Sequence, residues 1–159
     1  MLHKSFVKYD CEKGASLVEF ILVFPILITI ILTMLELGIM LAIKVNLQGC
    51  VQAGAYYGQS GQYTSGSTRT ASAQAVMMNG FWGSLNPSNL ITTIQSFPTF
   101  AVASLGGSGT SGTGNYGQVG MYKMQYTYTT SSPLVAAIFG TTKVIQATAY
   151  VRNEEFFPS

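Results

Sequence analysis

From Phe20 to Ile43 the sequence runs FILVFPILITIILTMLELGIMLAI, and Glu36 is its only ionisable residue. Wound as an α-helix, this run spans roughly 36 Å, enough to cross a hydrocarbon core of about 30 Å. Glu19 and Glu36 stand roughly 26 Å apart along such a helix. The two carboxylates can therefore bracket the core near its opposite interfaces, away from the centre, where a charge costs roughly 2.5–3.5 kcal/mol. Pro25 and Gly38 are compatible with a membrane helix, because neighbouring groups satisfy the carbonyl that proline frees. Pro25 is a candidate bend.

Composition agrees with a membrane helix carrying one small domain. The chain has 159 residues, too few for two large cores, and only 9% are charged against about 25% in ordinary soluble domains. Lys4, Lys8, Asp10, Glu12 and Lys13 crowd the start, and no acidic residue occurs between Glu36 and Glu154. Three lysines precede the apolar run and Lys44 alone follows it closely, so the positive-inside rule places the N-terminus in the cytoplasm and the residues after Lys44 beyond it. A nucleic-acid footprint needs clustered basic residues. Here Lys44, Arg69, Lys123, Lys143 and Arg152 are widely spaced, so nucleic acid is not an expected partner.

An ordinary signal peptide has a shorter apolar region followed by a small-residue exit. The informative boundary here precedes the run, in Lys13-Gly14-Ala15-Ser16-Leu17-Val18-Glu19-Phe20. A short charged leader ends in Gly14, and Glu19 is the fifth residue after it. This resembles the type IV prepilin cleavage motif, cut between Gly14 and Ala15 on the cytoplasmic face; a residue without a side chain lets the backbone approach a membrane-embedded active site closely. The plainer reading is that Gly14 ends a leader and Glu19 is an interfacial carboxylate without a special partner.

Gly14-Ala15, Glu19-Phe20, Pro25, Glu36-Leu37-Gly38 and Ala53-Gly54-Ala55-Tyr56 together resemble a TadE-family N-terminus. The tail from Pro133 to Gly140 and from Val144 to Glu154 is also similar to that family. It often carries Arg soon after the second acidic residue, where this chain has Lys44. The resemblance implies a minor pilin or pseudopilin of a Tad (Flp) pilus machine, processed by a prepilin peptidase. It also implies that Glu19 pairs with the N-terminal amine of a neighbouring subunit. Phe20 belongs to the same assembly segment.

Beyond Lys44, Leu47, Cys50, Val51, Gly54, Ala55 and Gly58 recur at three-and-four spacing and predict a helix continuing with one small apolar stripe. The stripe suits packing against the chain's own head or, because small residues permit close approach, against a partner helix. Glu36 and Cys50 are candidate helix-interface residues. Tyr57 to Thr70 reads as a loop. Ser67 or Thr68 is placed to cap a helix over about Arg69–Asn79, with Gly80 as its stop. Phe81 and Trp82 are candidate core wedges, and Asn86-Pro87-Ser88 marks a turn.

Strands are expected over about Leu90–Phe97, Gly120–Thr130 and Thr142–Arg152. Period-two geometry puts Tyr122, Met124, Tyr126 and Tyr128 on one face of the second, and Ile145, Ala147, Ala149 and Val151 together on the third. Leu105 to Gly120 reads as a flexible hairpin loop. Pro133 to Gly140 has serines as caps, Pro at a helix start and Gly as a stop; it is too short to span a bilayer. The expected fold is α+β: a long N-terminal transmembrane helix continuing into a small pilin-like head with an antiparallel sheet of about three strands. The expected organisation is a leader over 1–14, a transmembrane and extended helix over 15–58, and an extracytoplasmic head over 59–159.

Loss of the leader would remove His3 and Asp10, the only His and Asp, and leave Cys50 as the only Cys. Acid–base work would fall to Glu19, Glu36, Glu154 and Glu155, with no Cys–His or Ser–His arrangement and no metal-ligand cluster. An enzyme, a metal, a cofactor and a small-molecule substrate are therefore not expected. Cys11 and Cys50 fall on opposite sides of the membrane, so no internal disulfide is expected; Cys50 is either a buried inert thiol or an intermolecular bridge. The expected partners are prepilin peptidase, other pilin-like subunits, the pilus membrane platform and membrane lipid. The expected location is the bacterial inner membrane, as a single-pass protein with a periplasmic or extracellular head, or incorporated in a pilus. The alternative is an uncleaved single-pass module whose exterior domain binds a partner or surface.

Overall fold

The computed structural model describes residues 10–61, 67–81 and 85–154, with side chains from Leu17 onward. His3, Lys4, Lys8, Trp82 and Glu155 lie outside the described residues, as do the side chains of Asp10, Cys11, Glu12 and Lys13.

The first element, α1, is one unbroken helix from Asp10 to Gln59, about 75 Å long. Pro25 lies inside it. The Thr29 hydroxyl donates to the Pro25 carbonyl at 2.7 Å, and the Thr33 hydroxyl to the Thr29 carbonyl at 2.7 Å, the back-bonding by which hydroxyls avoid standing unpaired in an apolar helix. After α1 come α2 (Arg69–Asn79), a single 3-10 turn (Pro87–Asn89), β1 (Leu90–Phe97), α3 (Phe100–Ser104), β2 (Thr110–Ser111), β3 (Val119–Thr129), α4 (Pro133–Phe139) and β4 (Thr142–Arg152). The sheet is antiparallel with strand order β2-β1-β3-β4.

The caps explain several of these boundaries. Thr68 has extended backbone and its hydroxyl accepts from the Ala71 N–H at 3.2 Å, while Gly80 closes the far end of α2. Ser132 caps α4 in the same way, accepting from Val135 N–H, with Pro133 in the first turn. Pro there gives up a donor that a helix start leaves unused.

The chain divides into two compact units. One takes in α1 as far as Gly38 together with Thr130–Thr141. The other takes in Ile39–Thr129 and the chain from Thr142 onward.

In the second unit, the part of α1 beyond Ile39 supplies one wall of the core. Ile43, Leu47, Cys50, Val51 and Ala55 are buried against Ala73 and Met77 of α2 and the inner face of the sheet. That sheet face is Ile94 on β1, Tyr122, Met124, Tyr126 and Tyr128 on β3, and Ala147 on β4. Register sets large residues beside small ones: Tyr122 stands opposite Ala149 and Met124 opposite Ala147, so the tyrosine rings take the volume the alanines leave. Leu47, Met77, Tyr122 and Met124 are fully buried, each worth ~1.5–3 kcal/mol over exposure. The small-residue stripe on α1 thus packs on the chain's own head.

Close approach is what the two glycines of the stripe permit. A Cβ at Gly54 would meet the Met77 Cγ at 2.1 Å, and one at Gly58 would meet the Tyr122 hydroxyl at 1.9 Å. A smaller cluster of Phe97, Ala103 and Val119, with Met121 against it, covers the opposite face of the sheet.

The segment expected as a flexible loop holds more structure than its composition suggests. β2 pairs Thr110 with Ser96 and Ser111 with Gln95, adding a fourth strand. Just ahead of that segment, α3 is capped by Thr99, whose hydroxyl accepts from Val102 N–H.

Candidate functional site: the N-terminal helix

The most apolar stretch of α1 has none of its residues buried against the rest of the protein. Leu17, Phe20, Ile21, Leu22, Ile26, Leu27, Met34, Leu35, Leu37 and Leu41 are all exposed. Apolar side chains arrayed on every side of a helix, and left uncovered by the fold, require an apolar solvent or neighbouring helices. Among the described residues this is the one helix long and apolar enough to cross a membrane.

Gly14 and Ala15 lie in the early turns of α1. Glu19 is exposed, one helical turn further on. Phe20 is 63% exposed, and its ring meets that of Phe24 at 5.2 Å between centroids, tilted by 31°.

Glu36 differs from Glu19 in burial and in its partners. It is only 4% exposed, and its Oε1 accepts from the Ser131 N–H at 2.7 Å and the Ser132 N–H at 3.0 Å. These two bonds satisfy an acceptor that would otherwise be costly within an apolar run. Glu36 and the serines belong to the same compact unit.

Cys50 is a free thiol, 3% exposed, with its Sγ 4.0 Å from the Asn46 Oδ1. Burial pushes its pKa up, against a smaller lowering by a backbone hydrogen bond, so the nucleophilic thiolate is disfavoured. Glu36 and Cys50, both candidates for a helix interface, are turned toward their own chain.

A polar cluster in the head escaped sequence reasoning. Arg69 Nε donates to the Thr113 hydroxyl at 2.9 Å, and its Nη2 donates to the Gly114 carbonyl. Asn153 Nδ2 donates to the carbonyls of Thr113 at 2.7 Å and Asn115 at 3.0 Å. These bonds clamp the 113–118 loop from α2 and from the end of β4. Tyr122 lies beneath the same region, and burial pushes its hydroxyl up to about 12 although the Arg69 charge pulls the other way. Open cavities of about 440 and 400 Å³ flank the loop. Hydroxyl and amide side chains line both, and Arg69 lines the first alone. Among the described residues, no three His, Cys, Asp or Glu side chains gather where one ion would touch all of them.

The segment bearing Gly14, Glu19, Pro25 and Glu36 is also where the chain is similar to known proteins. Residues 14–55 match the TadE-like protein family. The TadE-like segment covers about a quarter of the chain and ends within the buried stripe of α1, at Ala55. Comparison with curated proteins and with solved structures gives no match. The TadE-like match supports a pilin-like role associated with a Tad pilus, in a family that is structural and not enzymatic.

Proposed function

We propose that the chain is a minor pilin or pseudopilin that acts in assembly of a Tad/Flp-type pilus or a related secretion apparatus. The observation that carries this reading is the coincidence of the TadE-like segment with an apolar helix whose side chains the fold leaves uncovered. Residues 1–14 serve as a leader that a prepilin peptidase removes between Gly14 and Ala15. Residues 15–58 form the anchor and its extension, and 59–159 form the extracytoplasmic head. The N-terminus faces the cytoplasm, in keeping with Lys4, Lys8 and Lys13 before the span.

Once the leader is gone, the amine of Ala15 and the carboxylate of Glu19 are separated by just over one helical turn. Glu19 is exposed and so is available to the Ala15 amine of an adjacent subunit. In a low dielectric that pair rewards one register, because an unpaired carboxylate there is costly. Lateral packing uses the exposed Leu and Ile side chains of α1, with the pilus platform and lipid as the other contacts.

A photo-crosslinking residue at Leu22, 67% exposed, tests this in cells that assemble the pilus. Adducts with other pilin-like subunits are expected. Adducts confined to lipid would overturn the assembly role and favour a plain single-pass binding module.

A further inference from the structure

The loop between β3 and β4 contains α4, and its exposed surface is apolar. Leu134, Ile138 and Phe139 are 50%, 61% and 51% exposed, and residues 130–141 carry no charge. Exposed apolar residues on a small loop commonly mean little one at a time. Two further observations give this group a meaning.

The first is depth. The Ser131 and Ser132 N–H groups are bound to Glu36, which lies seven residues before the end of the apolar run at Ile43. Along a helix that is roughly 10 Å. The start of α4 is therefore tied to α1 at a level inside the apolar run.

The second is the backbone. Polar backbone groups entering lipid must be satisfied within the protein, and those of this loop are extensively paired. Thr130 N–H donates to the Thr141 carbonyl at 2.9 Å, and the Thr130 hydroxyl donates to the Gly140 carbonyl at 3.1 Å. Ala136 N–H donates to the Ser132 carbonyl and Gly140 N–H to the Ala136 carbonyl, both at 2.9 Å. Val135 N–H goes to the Ser132 hydroxyl, and the two N–H groups ahead of Pro133 go to Glu36.

We infer that residues 130–141 form a membrane wedge: α4 lies in the acyl-chain boundary of the leaflet at the outer end of the span, with Leu134, Ile138 and Phe139 in lipid and Glu36 as the tether that fixes its depth. The lipid-facing surface of α1, with Met34, Leu35 and Leu37 exposed beside Glu36, is continuous in depth with this second apolar element. Burial by roughly 5–10 Å is the ordinary depth of an interfacial apolar helix. This inference rests on α1 being a span and not on cleavage or pilus assembly.

Tryptophan quenching by brominated phospholipid tests it with the full chain in vesicles. The chain has one Trp, so Trp82→Phe provides a silent background for single reporters. Leu27→Trp reports the span, Tyr56→Trp reports α1 beyond the apolar run, and Ile138→Trp reports the wedge. The Ile138 reporter is expected to be quenched at least half as strongly as the Leu27 reporter, and the Tyr56 reporter to stay near its value in unbrominated lipid. Adding Glu36→Leu is expected to reduce quenching at Ile138 by at least half and leave Leu27 unchanged.

An Ile138 reporter as unquenched as Tyr56, with Leu27 quenched, refutes the wedge and leaves the span standing. An unquenched Leu27 reporter refutes both. Quenching at Ile138 that persists unchanged with Glu36→Leu refutes the tether.

Discussion

Gly58 is where α1 passes Tyr122, the most deeply buried aromatic side chain among the described residues, and replacing it with alanine puts a number on that contact. The added Cβ would stand 1.9 Å from the Tyr122 hydroxyl, 2.7 Å from Cζ and 3.0 Å from Cε1. Tyr122 is fully buried, so the ring has little room to retreat. Overpacking costs typically ~1–3 kcal/mol, while alanine gains about 1 kcal/mol over glycine in a helix. With a contact this short the steric cost lies at the upper end, and Gly58→Ala should lower stability by about 1–2 kcal/mol.

The closest clash is with the hydroxyl, which is buried without a hydrogen-bond partner among the described residues. Tyr122→Phe removes that oxygen, so alone it should be neutral or stabilising. Combined with Gly58→Ala it should recover about 1 kcal/mol, a coupling of the size expected for residues in contact. Recovery stays partial because the Cζ contact at 2.7 Å remains. Denaturant unfolding of the full chain in detergent, followed by near-ultraviolet circular dichroism, measures all four corners of this cycle. A neutral Gly58→Ala variant, or additivity of the two changes, would refute the packing of α1 against β3.

Three further outcomes follow from the same contacts. The Tyr122 pKa is raised from 10.0 to about 12 in the folded protein; the folded state holds that proton more tightly, so the associated stability is complete below pH 10 and is lost as pH rises toward about 12. The Tyr122→Phe variant should lack this part of the alkaline decline in a pH series of unfolding curves. Arg69→Ala removes two charge-assisted bonds to the 113–118 loop; each is worth about 1.5–3 kcal/mol, so amide exchange in the loop should accelerate at least about tenfold, the equivalent of about 1.4 kcal/mol. Glu19→Gln should leave membrane insertion and protein level unchanged and impair pilus assembly; normal pili at normal levels would show that the carboxylate has no pairing role.

The parts of this fold that were readable from sequence are those set by local rules. Thr68, Gly80 and Pro133 mark helix ends through backbone groups within a few residues, and the helices over 69–79 and 133–139 follow from them. The alternation from Tyr122 to Tyr128 fixes a buried face because side-chain direction in a strand has period two, and all four residues are buried. α3 and β2 were not readable: five and two residues carry too little periodicity, and β2 exists because Thr110 and Ser111 find Ser96 and Gln95. The partners of Glu36 lie about ninety-five positions away. A carboxylate in an apolar run signals that a partner is needed, but not that two backbone N–H groups ahead of Pro133 supply it. The Arg69 clamp is similarly remote, and its carbonyl acceptor is backbone, which side-chain identity does not reveal.

The central claim is that α1 belongs to a processed, membrane-held, pilin-like subunit, and the intact mass of the protein purified from membranes of peptidase-competent cells tests it most directly. The predicted mass is that of a chain beginning at Ala15. A chain that retains Met1 to Gly14 in those cells would contradict the claim.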